Sequence, residues 1–205
     1  MAYRELIEQN FSDSLKAISD SLDGIAPSLE AAIESAIRSY ENGGTLFFAG
    51  NGGSAADACH IASELVGSFE NYSAPLPAIS LATDVAILTS VANDYSFENI
   101  FLQQAKALAR PGDQIWLIST SGESANVLEV AKWARDAGIA TVGLLGKGGG
   151  TMASQVDIPI VVTGENPQRI QEVHILVLHT LASALKRKFP NGITLPVKRD
   201  KFAAT

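Results

Sequence analysis

A strand, a glycine-rich turn and a helix stand in immediate succession between Thr45 and Gly67, and this unit constrains the chain more than any other. Thr45-Leu46-Phe47-Phe48-Ala49 is a short apolar run, Gly50-Asn51-Gly52-Gly53-Ser54 the turn, and Ala55 to Val66 the helix-forming stretch. Glycines accept positive φ and carry no Cβ, so a ligand can approach the backbone of such a turn. The first NH groups of the following helix have no intrahelical acceptor and favour an anion. On that helix His60 and Glu64 are four residues apart. That spacing puts an imidazole and a carboxylate on one face, one turn apart, near the mouth of the turn.

At 205 residues, 46% hydrophobic and 18% charged, the chain is long enough for one sizeable core and needs no second domain. The expectation is a single domain over 1–189 and a tail over 190–205. A net charge of −7 argues against a phosphate-backbone partner, so no nucleic acid is expected. Met1-Ala2-Tyr3-Arg4-Glu5 does not open a signal peptide, and no apolar run approaches the roughly 20 residues that span a bilayer. A cytoplasmic protein with no membrane partner is the expectation. The single cysteine, Cys59, fits a reducing compartment and reads as a small buried hydrophobe.

Leu6, Ile7, Phe11, Leu15, Ile18 and Leu22 recur at helical steps and predict a first helix ending near Asp23-Gly24. A second is predicted from about Pro27 to Asn42-Gly43-Gly44. Such helices, lying outside an α/β core, suit a contact with another subunit. Further on, strands are expected at 75–82, 114–118, 139–145 and 158–162, the last with Pro159 at an edge. Helices are expected from Asp84 to Asp94, from Phe97 to Leu108, after Ser124 and from Asn166-Pro167 to about Phe189, and a flexible loop at Lys147-Gly148-Gly149-Gly150. Alternating strands and helices imply a parallel sheet covered on both faces.

Two strand ends deliver small polar residues to a helix N-terminus, Gly50 to Ser54 and Ser119-Thr120-Ser121-Gly122-Glu123-Ser124. Open α/β sheets bind ligands at such ends, and the hydroxyls and NH groups of the second turn suit a tetrahedral dianion, so a phosphate is the natural guest. Serines of this kind also serve as plain helix caps. Neither turn matches the P-loop or the dinucleotide fingerprint. An arbitrary His-x-x-x-Glu is most often a surface pair of little energetic weight, but this one adjoins a ligand-type turn. The last helix carries Gln171, Glu172, His174 and His179. Its two histidines lie roughly 140° apart around the axis, with Gln171 within roughly 80° of either, so spacing does not choose between them.

Gly50-Asn51-Gly52-Gly53-Ser54, Asp57-Ala58-Cys59-His60-x-x-x-Glu64-Leu65, Ala92-Asn93-Asp94, Ser119-Thr120-Ser121-Gly122-x-Ser124-x-Asn126 and Arg169-Ile170-Gln171-Glu172-Val173-His174 together resemble the sedoheptulose 7-phosphate isomerases (phosphoheptose isomerases) of the sugar isomerase domain superfamily. The resemblance runs from about residue 4 to 189. It implies an α/β fold, a three-layer α/β/α sandwich with a flavodoxin-like five-stranded parallel sheet plus N-terminal helices. It also implies a homotetramer with sites at subunit interfaces. The family's catalytic histidine stands eight residues after the glutamine of Arg-Ile-Gln-Glu, here His179. By motif, Glu64 and His179 correspond to the acid/base pair. Asn51, Gly52, Gly53, Glu64, Asn93, Asp94, Ser119, Thr120, Ser121, Ser124 and Gln171 correspond to the contacts with the sugar phosphate. Some members bind zinc, one per subunit, through positions matching His60, Glu64, Gln171 and His179. The reaction implied is aldose-ketose isomerisation of sedoheptulose 7-phosphate to D-glycero-D-manno-heptose 7-phosphate. The rival is a noncatalytic binding protein of the same fold that associates with the bacterial replication initiator. That relative lacks the glutamate and histidine found here as Glu64 and His179.

Overall fold

The computed structural model describes residues 3–69 and 74–193. Its elements are α1 (Tyr3–Glu41), β1 (Leu46–Gly50), α2 (Gly53–Val66), β2 (Ala78–Ser80), α3 (Val85–Asp94), α4 (Ile100–Leu108), β3 (Gln114–Ser119), α5 (Ala125–Ala137), β4 (Ala140–Leu145), β5 (Ile158–Val161) and α6 (Pro167–Lys188). The five strands form one sheet in the order β2-β1-β3-β4-β5, all parallel, as the resemblance implied. Pro159 sits on an edge strand, where its missing NH breaks no ladder. The tail expected from residue 190 lies outside the described residues from 194 onward.

Alternation along the strands divides the core. Phe48, Trp116 and Ile118 face one layer with Leu46, Val142 and Leu144, and there they meet α1, α2 and α6. Phe47, Ala49, Ile115 and Leu117 face the other, against α4 and α5. β1 and β3 are neighbours whose chains leave the sheet towards opposite edges, with Gly50 opposite Ile118. Their carboxyl ends therefore open a crevice, and both polar turns lie there.

Three expectations are corrected. The two N-terminal helices are one, α1, with Pro27 inside it. A proline in a helix interior costs about 3 kcal/mol through its lost bond and ring clash. Packing offsets this: Ile25, Ala32 and Ala36 on either side of Pro27 are buried, and Ser21 Oγ accepts from the Thr163 NH at 3.1 Å. The run around Pro75 shortens to a three-residue strand, because Pro75 and Pro77 cannot donate to a ladder. The glycine stretch 147–150 is not a free loop but enters two docked 3-10 turns, Lys147–Gly149 and Thr151–Ser154. The Met152 NH donates to the Gly122 carbonyl at 3.0 Å, and the Thr151 NH donates to Glu123 Oε1 at 2.6 Å.

Among the described residues no helix is long and apolar enough to cross a membrane.

Candidate active site

The helix starts fall into two kinds, and α4, at Asn99, shares the uncapped kind with the two turns. α3 and α6 carry side-chain caps, Asp84 accepting from the Ile87 NH and Asn166 from the NH groups of Gln168 and Arg169. α2 begins at Gly52 and α5 at Ser124 with no side-chain cap bond. The serines of the second turn bond to one another instead: Ser119 Oγ lies 3.0 Å from Ser124 Oγ and 3.4 Å from Ser121 Oγ, and accepts from the Gly122 NH at 3.1 Å. The plain-cap reading therefore fails for Ser124. The hydroxyls form a cluster with two uncapped helix N-termini beside it, an arrangement suited to an oxyanion.

Two glycines show what lies against the turns. A Cβ on Gly53 would run into the Gln171 amide, so Gln171 on α6 lies directly over the start of α2. A Cβ on Gly122, at φ 67°, would strike the Gly149 carbonyl, because the 147–150 turn packs onto the serine turn. Asn51 and Asn126 join the two turns through a reciprocal amide pair, each Nδ2 donating to the other's Oδ1 at 2.8 Å. Asn126 was part of the recognised motif but had no role in the sequence reading. Its burial beside a second asparagine supplies one, which is to hold the two turns at a fixed separation.

α2 and α6 run side by side in the same direction with a constant register. Gln171 meets Gly53, His179 meets His60, and Lys186 meets Gly67. Of the two histidines of α6, His179 is the one beside His60. His179 Nε2 lies 3.1 Å from His60 Nε2, with the rings 5.1 Å apart, and His60 Nε2 lies 3.3 Å from Glu64 Oε1. His174 points inward and is fully buried, and neither ring nitrogen finds a hydrogen bond of good geometry. Burial pulls its pKa down to about 4, opposed by the Leu145 backbone. Glu172, on the same helix, binds Arg169 and Ser14 and ties α6 to α1.

Asp57 lies one turn before His60. Its Oδ2 is buried without a hydrogen-bond partner, and burial raises its pKa to about 6, opposed by His60. Asn93 and Asp94, at the end of α3, are exposed and bond to each other at 2.8 Å. Among the described residues no hydrogen bond joins either to the two turns. Ala92 just before them lines a cleft of about 310 Å³ with Asn51 and Gly52.

Among the described residues no three His, Cys, Asp or Glu side chains stand together as a metal-binding group. His60, Glu64 and His179 form an open chain of donors spaced by 3.1 and 3.3 Å. Two ligand atoms on a tetrahedral zinc are about 3.3 Å apart, so each of these two spacings matches a ligand pair on that ion, and imidazole and carboxylate are ligand types it takes. Gln171 stands eight residues before His179 on α6, with its amide over the start of α2.

Known proteins share this chain's sequence and fold. The SIS domain family model matches residues 10–146. The phosphoheptose isomerase of Geotalea daltonii is 48% identical over 164 residues, which cover 80% of this chain and 85% of that protein. That of Halorhodospira halophila is 44% identical over 195 residues, covering 94% and 98%. The structure of phosphoheptose isomerase GmhA from Neisseria gonorrhoeae superposes with a TM-score of 0.86 at 35% identity, over 91% of this chain and 100% of that one. Identity at this level over nearly the whole length, together with the match to the SIS domain model, places the chain in the phosphoheptose isomerase family of SIS-domain proteins.

Proposed function

We propose that this isomerase converts sedoheptulose 7-phosphate to D-glycero-D-manno-heptose 7-phosphate through an enediol. The observation that carries the reading is the meeting of Glu64, His60 and His179 between α2 and α6, beside two turns whose helices are uncapped. The serine turn, Ser119, Thr120, Ser121 and Ser124, receives the phosphate, and Asn51, Gly52, Gly53 and Gln171 hold the sugar. Glu64 takes the proton from C1 of the ketose while O2 gains one, giving the enediol. O1 then loses its proton and Glu64 returns the first one to C2. One Glu64 oxygen is turned towards His60, which leaves the other for carbon. His179 moves the proton between O1 and O2.

His60, Glu64, Gln171 and His179 are the residues that would hold one zinc per subunit. Bound there, zinc would act as a Lewis acid on the carbonyl oxygen. The homotetramer is supported by α1, whose Leu6, Ile7, Phe11, Leu15 and Leu22 are exposed on a helix that needs a partner for them. A groove of about 580 Å³ between α1 and α6, lined by Leu22, Leu29 and Leu176, continues that surface. A neighbouring subunit would bring Asn93 and Asp94 to a site they do not reach within one chain. We place the enzyme in the cytoplasm, in keeping with a single cysteine that suits a reducing compartment.

Turnover of sedoheptulose 7-phosphate by the purified protein, with and without zinc and chelator, tests the reading. No turnover under any metal condition, with the sugar phosphate still bound, would favour the noncatalytic alternative.

A further inference from the structure

Lys186 is 6% exposed, although it lies near the end of a surface helix. Its Nζ donates to the Gly67 carbonyl at 2.8 Å and to the Ala74 carbonyl at 3.0 Å. These two carbonyls flank the connection that leaves α2, and Gly67 is the residue that caps α2. The partial negative charge at a helix carboxyl end favours a cation there. Within that connection, Phe69 packs on His179, ring centroids 5.7 Å apart at 38°. Lys186 follows His179 by seven residues, roughly 20° short of two full turns, so both project from one face of α6.

A buried ammonium is costly unless it is hydrogen-bonded and its charge is balanced. The two carbonyls supply the bonds. The balancing charge is the Glu64 carboxylate, which works against the lowering of the Lys186 pKa by burial. A lysine used only to fill space would turn its head out to water, as long charged side chains do.

We propose that Lys186 is a positioning residue for this isomerase: it ties Gly67 and Ala74 to α6, so that Phe69 holds the His179 ring against His60. The proposal rests on the isomerase reading for its kinetic consequence, but its structural consequence can be read without turnover.

The chain has three histidines, so their ring signals can be resolved by NMR in the whole protein. In Lys186→Met the His179 ring signals are expected to move as the Phe69 ring leaves, while those of His174 stay. With it, kcat should fall about tenfold or more, while KM and inhibition by inorganic phosphate change by less than about twofold. Lys186→Arg, which keeps two donors and the charge, should restore most of both. Phe69→Leu leaves the lysine in place and should reproduce the kcat loss, which covers the case of a poorly folded Lys186→Met. Unmoved His179 signals, or an unchanged kcat per folded site in an active enzyme, would each overturn the proposal. A wild type that turns over no heptose phosphate would sink the isomerase reading, and the histidine signals would still show whether the tether exists.

Discussion

His60 Nε2 and His179 Nε2 stand 3.1 Å apart, although 119 residues separate them in the chain. Two imidazole nitrogens share such a contact only when one carries the proton or when a cation lies between them. Glu64 Oε1, 3.3 Å from His60 Nε2, adds a carboxylate to the pair. The α2 and α6 register brings these three groups together beside the glycine turn.

Glu64→Gln should lower kcat by a factor on the order of 10² to 10⁴, and His179→Ala by a similar factor, with little change in melting temperature because both side chains are partly exposed. Steady-state kinetics beside thermal denaturation measures both. Full activity in Glu64→Gln would remove it as the base.

Chelator treatment of purified wild type should reduce turnover, and added zinc should restore it. His60→Ala should weaken zinc binding about 10-fold or more in direct titration. Identical zinc affinity in that variant would exclude His60 as a ligand.

Gly53→Ala and Gly122→Ala should fail in different ways. The first pushes only the mobile Gln171 amide, so activity should fall while the fold holds. The second meets a backbone carbonyl at φ 67°, and should cost about 2 kcal/mol or more of stability. Denaturant melts of both variants decide, and equal stability of the two would contradict the packing described.

His174 and Asp57 should give opposite pH slopes. Burial holds the folded His174 at about 4 against an ordinary 6.5, so the unfolded chain takes up this proton first. Its stability contribution is whole above pH 6.5 and is lost as pH falls towards 4. Asp57 is raised from 3.8 to about 6, so its contribution is whole below 3.8 and is lost as pH rises through 6. Metal-free wild type should therefore be flatter between these values than either variant. His174→Leu should lose stability with rising pH and Asp57→Asn should gain it, as melting temperatures across the range will show.

Phe11→Glu with Leu15→Glu should break the assembly and leave each chain folded, because both positions are exposed on α1. Sedimentation should show a tetramer for wild type and a smaller species for the variant. A monomeric wild type would overturn the interface.

Much of the fold was legible because its signals are local. The parallel sheet followed from apolar runs at 114–118 and 139–145 separated by helical stretches, and the caps Asp84 and Asn166 marked real helix starts. Pro27 misled because a proline's local cost says nothing of the burial of Ile25, Ala32 and Ala36 around it. Gly148 and its neighbours misled in the other direction, since the groups that dock them, Gly122 and Glu123, lie far back in sequence.

The candidate site divides along the same line. Sequence alone determined the two turns and the His60 and Glu64 pair, since each is contiguous and its geometry follows from strand, turn and helix. Motif resemblance selected His179 over His174, but periodicity could not, because roughly 140° around a helix axis has no meaning until something lies beside the helix. Tertiary structure decided that α6 lies parallel to α2 in a register that sets Gln171, His179 and Lys186 against Gly53, His60 and Gly67. It also paired Asn51 with Asn126 and buried His174. The physical reason is that side-chain partners across a packed interface are chosen by the shape of two apolar helix faces on one sheet, a property of the whole core that no short stretch of chain contains.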